Sequence, residues 1–269
     1  MNRFVLLAMA LGMASTGVFA QDTYQEWAAA GKPDRPKSDA PGALSDVRGG
    51  ATVFGDRASF DAAVGALPLE DFDGGATAAG AVGACSEPIS SASNDVCFSP
   101  GDLIAGFEVT SSSGGGVVVL GDGFIGQPTA VVGASAFADI TTVTFTEPDV
   151  DAVALDAYSG SGGTLSVEVR VFDGGGALAD TVNLTTSADN VSEFFGILAP
   201  GPISRVEIET AEGGGELFDN LAFGVAEGGG GGGDDESVSI PTLGTTGVIV
   251  GILLLLALGG FTLRARNSR

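Results

Sequence analysis

The chain has 269 residues, 44 of them glycine, and sets 34 acidic side chains against 11 basic ones for a net charge of −23. So acidic a surface repels phosphate backbones, which removes nucleic acid as a partner, while it favours solubility and gathers divalent cations. Histidine is absent, and with it go Ser-His-Asp and Cys-His nucleophile pairs and His-ligated zinc.

Residues 1–20 carry a short basic start (Arg3), an apolar stretch from Phe4 to Met13, and Val18-Phe19-Ala20 ahead of Gln21. That order is the order of a secretory signal peptide, with small residues at the −3 and −1 positions of the cut. The mature chain is therefore expected to be exported. Residues 21–50 are polar, interrupted by Pro33, Pro36 and Pro41, and read as a flexible leader with one helical turn around Gln25–Ala30. The single tryptophan, Trp27, lies in this leader, away from any expected core. It is expected either to pack back onto the domain or to serve as a binding aromatic.

The folded body is expected over residues 51–225. "TVFGDRASFDAAVGAL" reads as a short strand and then a helix from about Arg57 to Val64, with Phe60 and Val64 on one face. Short apolar or alternating runs follow, punctuated by glycine: "DLIAGFEVTSS", "GGVVVLGD", "DITTVTFTE", "VDAVALDAYSG", "TLSVEVRVFD", "LADTVNLTT", "VSEFFGIL", "ISRVEIETA" and "ELFDNLAFG". In the fifth of these, Leu165, Val167, Val169 and Val171 face one way and Ser166, Glu168 and Arg170 the other. Strands of this length joined by tight turns predict an all-β, antiparallel sandwich with one short N-terminal helix. The only two cysteines, Cys85 and Cys97, are too far apart for a CxxC site; in an exported chain they predict one disulfide.

Residues 226–239 contain six consecutive glycines and an acidic tip, Asp234 to Glu236, and read as a linker that keeps itself extended in water. From Gly247 to Leu263 no charge occurs. As a helix that run covers about 26 Å, or about 31 Å counted from Leu243, enough to span a hydrocarbon core. Arg264, Arg266 and Arg269 follow, which puts the C-terminus on the cytoplasmic side and the body outside. A C-terminal transmembrane helix is therefore expected.

Ile240, Pro241, Thr242 and Leu243 stand just ahead of that run. A four-residue motif, an apolar helix and an arginine-rich tip resemble the bacterial IPTL-CTERM sorting signals, relatives of the PEP-CTERM signals handled by exosortases. The resemblance covers residues 240–269. Gly244-Thr245-Thr246-Gly247 departs from the Ser-Glu-Trp-Gly that follows the motif in many members, which bears on the cognate enzyme rather than on the class of signal. The resemblance implies export machinery and a membrane sorting protease as partners. It implies a precursor held in the inner membrane, then cut near the motif and passed to the envelope surface or the exterior. A permanently membrane-anchored envelope protein is the rival reading. The body's two ends, "VFGDRASFDAAVGALPLEDFDG" and "FFGILAPGPISRVEIETAEGGGELFDNLAFG", resemble the jelly-roll-like exported domains found upstream of such signals; this implies a fold and no activity.

Within the body, Asp71 and Asp73 near Glu70, and Asp219 beside Asn220 in the last strand, are candidates for a structural Ca2+ site. Calcium wants six to eight oxygens, which clustered carboxylates and carbonyls supply. Ordinary turn and strand-end carboxylates are the plainer reading. Tyr158, in "DAYSGSGG", is a candidate platform for a surface glycan. No phosphate-cradling GxxxxGK[ST] motif occurs, and no carboxylate pair is singled out for glycoside hydrolysis. The sequence reading is thus a non-enzymatic surface or matrix protein in an adhesion or structural role, with a calcium-assisted carbohydrate-binding module as the alternative.

Overall fold

Thr23 opens the first helix with a capping box: its Oγ1 accepts from the Glu26 N–H at 3.2 Å while the Glu26 carboxylate accepts from the Thr23 N–H at 3.1 Å. The computed structural model describes residues 23–31, 50–160, 164–186, 191–210 and 213–227; the signal peptide, most of the leader, most of the linker and the C-terminal sorting segment lie outside them. The described elements are helix α1 (Tyr24–Ala29), strand β1 (Thr52–Phe54), helix α2 (Arg57–Val64) and strands β2 (Leu69–Glu70), β3 (Val82–Cys85), β4 (Phe107–Ser111), β5 (Val117–Leu120), β6 (Val131–Ala134), β7 (Thr141–Phe145), β8 (Ala152–Ser159), β9 (Leu165–Asp173), β10 (Leu178–Thr186), β11 (Glu193–Leu198), β12 (Ile203–Thr210) and β13 (Glu216–Gly224). No helix among the described residues is long and apolar enough to cross a membrane.

Two antiparallel sheets result. The larger runs β1-β11-β8-β13-β6-β5-β3, with β2 pairing β13 beside that path; the smaller runs β10-β9-β12-β7-β4. The body is an all-β sandwich, as its alternating strands predict. In the smaller sheet β9 buries Leu165, Val167, Val169 and Val171 and half-exposes Ser166, Glu168 and Arg170, so one face meets the core and the other meets water. Facing it across the core are Phe218 and Phe223 of β13, Val119 of β5, Leu155 of β8 and Phe195 of β11, all in one apolar cluster with the inward residues of β9, β12 and β7.

The middle of the larger sheet is buried on both faces. All four residues of its β5 and all four of its β6 are buried, as short continuous apolar runs require. Part of its outer face is covered by α2, whose Phe60 and Val64 lie on Ala152, Ala154 and Ala222. Another part is covered by α1. Trp27 packs back onto the domain, the first of its two expected roles, though into a core of its own: Tyr24 and Trp27 are buried with Phe124, Phe137, Val131 and Leu217 in a second apolar cluster. The Tyr24 N–H donates to the Ser135 carbonyl at 3.1 Å, and Tyr24 sits so close above Gly160 that any Cβ there would collide with its hydroxyl.

Cys85 and Cys97 form a disulfide, with Cα atoms 5.6 Å apart. The loop it closes is also held by carboxylates. Burial would raise the Asp95 carboxyl, but the backbone N–H groups of Ser86, Cys97 and Phe98 donate to it and hold it below its ordinary value. Glu87 accepts from the Ser111 N–H at 3.1 Å and the Gly116 N–H at 2.9 Å, tying the loop to β4 and to the turn before β5. Closing a loop of this size stabilises the fold by about 3 kcal/mol in the chain-entropy account. Replacing both cysteines by serine is expected to lower the melting temperature by about 6–12 °C. Thermal denaturation of the variant and of the reduced chain checks this; unchanged melting would mean that the carboxylate bonds hold the loop unaided.

Candidate functional site

Asp71, Asp73 and Asp219 each spend oxygens on hydrogen bonds within the protein. Asp71 is exposed and spends Oδ1 on the Asp73 N–H of its own turn at 3.1 Å. Asp73 Oδ1 accepts from the Ala130 N–H at 3.0 Å, joining this turn to the segment entering β6. Asp219 is fully buried; its Oδ2 accepts from the Thr129 hydroxyl at 2.5 Å and its Oδ1 from the Asn220 N–H at 2.6 Å. Among the described residues no group of three or more His, Cys, Asp or Glu side chains is arranged to hold a metal ion. The carboxylates instead serve the backbone.

Asp219 marks an irregularity in β13. It lies opposite Asp156 of β8, yet Ala222 lies opposite Ala154, so β13 carries one extra residue. Asn220 takes it up in the left-handed region, at φ 52°. The bulge is pinned from two sides: Asn220 Nδ2 donates to Asp156 Oδ2 at 2.8 Å, and Arg57, the first residue of α2, donates to the Asn220 carbonyl at 2.8 Å while lying over the Phe194 ring. Asp156, Asn220, Arg57 and Asp61 open onto a shallow cleft of about 640 Å3.

Tyr158 is not an open platform. Its side chain is only 4% exposed, in the apolar cluster under α1, because β8 is covered on both faces. Stacking on a sugar needs a ring face in water, and this ring has none. Burial raises the phenol above its ordinary value, the carboxylates of Asp219 and Asp156 push the same way, and hydrogen bonding with Ser192 and Thr129 opposes them.

A larger cleft, of about 1150 Å3, lies at one end of the sandwich between the margins of the two sheets. It is bounded by the β7–β8 turn, the β9–β10 turn, the β11–β12 turn and the residue before β1. Phe145, Val171, Ile197 and Ile203 form apolar walls; Pro148, Pro200 and Pro202 stiffen the rim. Four acids line it: Glu147, Asp149, Asp173 and Asp180. The first three are exposed, and Asp173 Oδ1 is committed to the Gly175 and Ala177 N–H groups of its own hairpin turn, each at 2.9 Å. Asp180 differs. It is 4% exposed, and no donor among the described residues reaches its Oδ2.

Register explains how an acid comes to be there. On β10 the buried positions are Val182, Leu184 and Thr186, and Asp180 is in phase with them, opposite the buried Val171. A bulge between Leu178 and Asp180 then shifts the pairing, so that Leu178 lies opposite Phe172 on the outward side and is 55% exposed. Asp180 is thus the last core-facing side chain of its strand, at the mouth of the core. The sequence reading passed over it, although an acid in phase with Val182 and Leu184 in "LADTVNLTT" was the signal that marks it.

No protein-family model matches this chain, and no curated protein matches it. Among solved structures, the enzymatically active domain of tailspike protein 4 of bacteriophage CBA120 is similar at 17% identity and a TM-score of 0.26, over 45% of this chain. The chain spans only 19% of that structure's length. A likeness of that degree carries no argument.

Asp219 makes a pH prediction. Burial, against the hydrogen bonds from Thr129 and Asn220 and with help from Asp73 and Asp156, raises its carboxyl from 3.8 to about 7. The folded state therefore holds this proton where the unfolded chain releases it. The group costs nothing below about pH 4, and its penalty grows as pH rises to about 7 and then levels off. Asp219→Asn is expected to gain stability relative to the unaltered chain by on the order of 2–4 kcal/mol between pH 4 and pH 8. Urea denaturation at both pH values checks it; a pH-independent difference would place an ordinary carboxyl at this position.

Proposed function

We propose that the chain is an exported, non-enzymatic, jelly-roll-like β-sandwich module of a Gram-negative-type cell envelope, sorted through its IPTL-type C-terminal signal and working in surface or matrix adhesion. The observation that supports export is the Cys85–Cys97 disulfide, a bond that forms and persists in oxidising compartments outside the cytosol. The acidic composition supports the same setting, since a net charge of −23 keeps a surface module soluble.

The outer face of the smaller sheet supports a contact role. Thr110, Thr142, Glu207, Arg170 and Thr181 stand in register across β4, β7, β12, β9 and β10, each half-buried. Arg170 bridges Glu168 and Glu209 at 2.8 Å and Glu207 at 3.2 Å, and Arg205 bridges Glu207 at 2.9 Å while stacked 3.5 Å over the Phe172 ring. Half-buried ion pairs at a sheet surface add little stability. What they provide is an ordered, flat polar face.

In this reading the order of events follows from the chemistry of the segments. The signal peptide carries the chain out, the disulfide closes, the C-terminal apolar run halts export, and a membrane protease cuts near Pro241, where proline keeps the backbone extended. Mass spectrometry of the mature protein from its own cells tests it. The expected product begins at Gln21 and ends near Pro241 or Thr242. An intact Arg269 would make the protein a permanent membrane resident, and full-length chain with Met1 and free thiols in the cytosol would overturn export altogether.

A further inference from the structure

The cleft between β9, β10, β11 and β12 sets a buried acid against apolar walls. Asp180 Oδ1 accepts from the Thr181 N–H at 2.7 Å, and among the described residues Oδ2 has no donor. A buried polar oxygen in that state carries its full desolvation cost, and an ionised one costs more unless a positive charge joins it. Among the described residues no lysine or arginine lines the cleft. The remaining charged groups there, Glu147, Asp149 and Asp173, are all negative and deepen the negative potential in a low-dielectric recess. Anions and further acids are therefore disfavoured, and the missing partner is a cation.

The walls specify what the cation is attached to. Phe145, Val171, Ile197 and Ile203 offer aliphatic and ring edges and no hydrogen-bonding side chain. A bare metal ion finds a single buried carboxylate here, and among the described residues no group of three or more His, Cys, Asp or Glu side chains is arranged to hold one. An aliphatic chain ending in an ammonium group satisfies both parts, its methylenes on the walls and its N–H donors on Asp180. The volume of about 1150 Å3 lies just above the usual range for small-molecule sites, about 300–1,000 Å3.

We propose that this cleft binds a primary alkylammonium group, with Asp180 as its counter-charge. The bulge in β10 is the device that builds the site: it ends the inward row of the strand on an acid at the place where the two sheets part. The same chemistry comes from a free aliphatic amine or from the lysine side chain of a partner.

The test titrates the full chain with n-pentylammonium, with n-pentanol and pentanoate as uncharged and anionic probes of matching length, and with an Nα-acetyl-lysine amide as the side-chain probe. Amide NMR shifts report the location. The amine is expected to perturb Val171, Asp180, Ile197 and Ile203 and to bind at least tenfold more tightly than pentanol, with no binding of pentanoate. Asp180→Asn is expected to weaken the amine at least tenfold while leaving pentanol unchanged. Equal binding of amine and alcohol by the unaltered chain, or shifts confined to other surfaces, would overturn the proposal even if the variant failed to fold. So would full affinity in a folded Asp180→Asn. Binding of the lysine amide as tight as that of the free amine would identify a protein side chain as the source; binding of the free amine alone would identify a small molecule.

Discussion

Strand β13 has to satisfy neighbours in every direction at once. It pairs β8 along one edge and β6 and β2 along the other. Its side chains enter all three apolar clusters: Phe218, Leu221 and Phe223 the layer between the sheets, Leu217 the cluster under α1, and Ala222 the cluster under α2. A strand so placed has little solvent face on which to put a polar residue, and seven of its nine residues are buried, with Asn220 and Gly224 half-buried. The extra residue at Asn220 lets β2 join the sheet opposite Leu221 after β6 has paired at Phe218. Without the bulge one of those two partners would lose its register.

The same crowding explains why β13 and its neighbours hold acids inside. Glu216 is fully buried, and burial pushes its carboxyl well above the usual range against the opposing bonds from the Thr141 and Thr210 hydroxyls and the Thr141 N–H. Those donors come from β7 and β12 of the facing sheet, so one carboxyl fastens the two sheets at the edge of the core. Glu70 does comparable work for β2: burial raises it while the Phe72 and Ile104 N–H groups, at 2.9 and 2.8 Å, draw it down. Each acid replaces bonds the irregular backbone beside it fails to make with another strand.

The longer strands were legible in the chain because their own residues carry the pattern. β9, with Leu165, Val167, Val169 and Val171, needs no knowledge of its neighbours, and α2 is announced by Phe60 and Val64 four apart. Three of the short strands, β2, β3 and β6, were not. β2 is two residues, and β3 and β6 mix glycine and alanine with valine, so no period shows. β6 exists because β5 and β13 present free edges to it, and Gly133 stands there where a Cβ would run into the Glu216 carbonyl. Trp27 and Tyr24 belong to a core because of Phe124 and Phe137, about a hundred residues further on. Tyr158 and Asp219 drew attention as chemical types, but their roles depend on being covered, and covering is a property of distant chain. Asp180 shows the reverse case: its phase was visible, and only the bulge and the parted sheets give that phase a meaning.

The way the sandwich ends has a mechanical side. Beyond β13 the Ala226 N–H donates to Asp151 Oδ1 and the Glu227 N–H to the Val64 carbonyl, each at 2.7 Å. Tension applied to the backbone at Glu227 first loads these two clasps. Past them it runs lengthwise along a strand laced on both edges, so that many hydrogen bonds must shear together rather than open one by one. A body hauled by this end resists in its most strongly held direction, and its lifetime under load is set by a rate of rupture rather than by equilibrium stability.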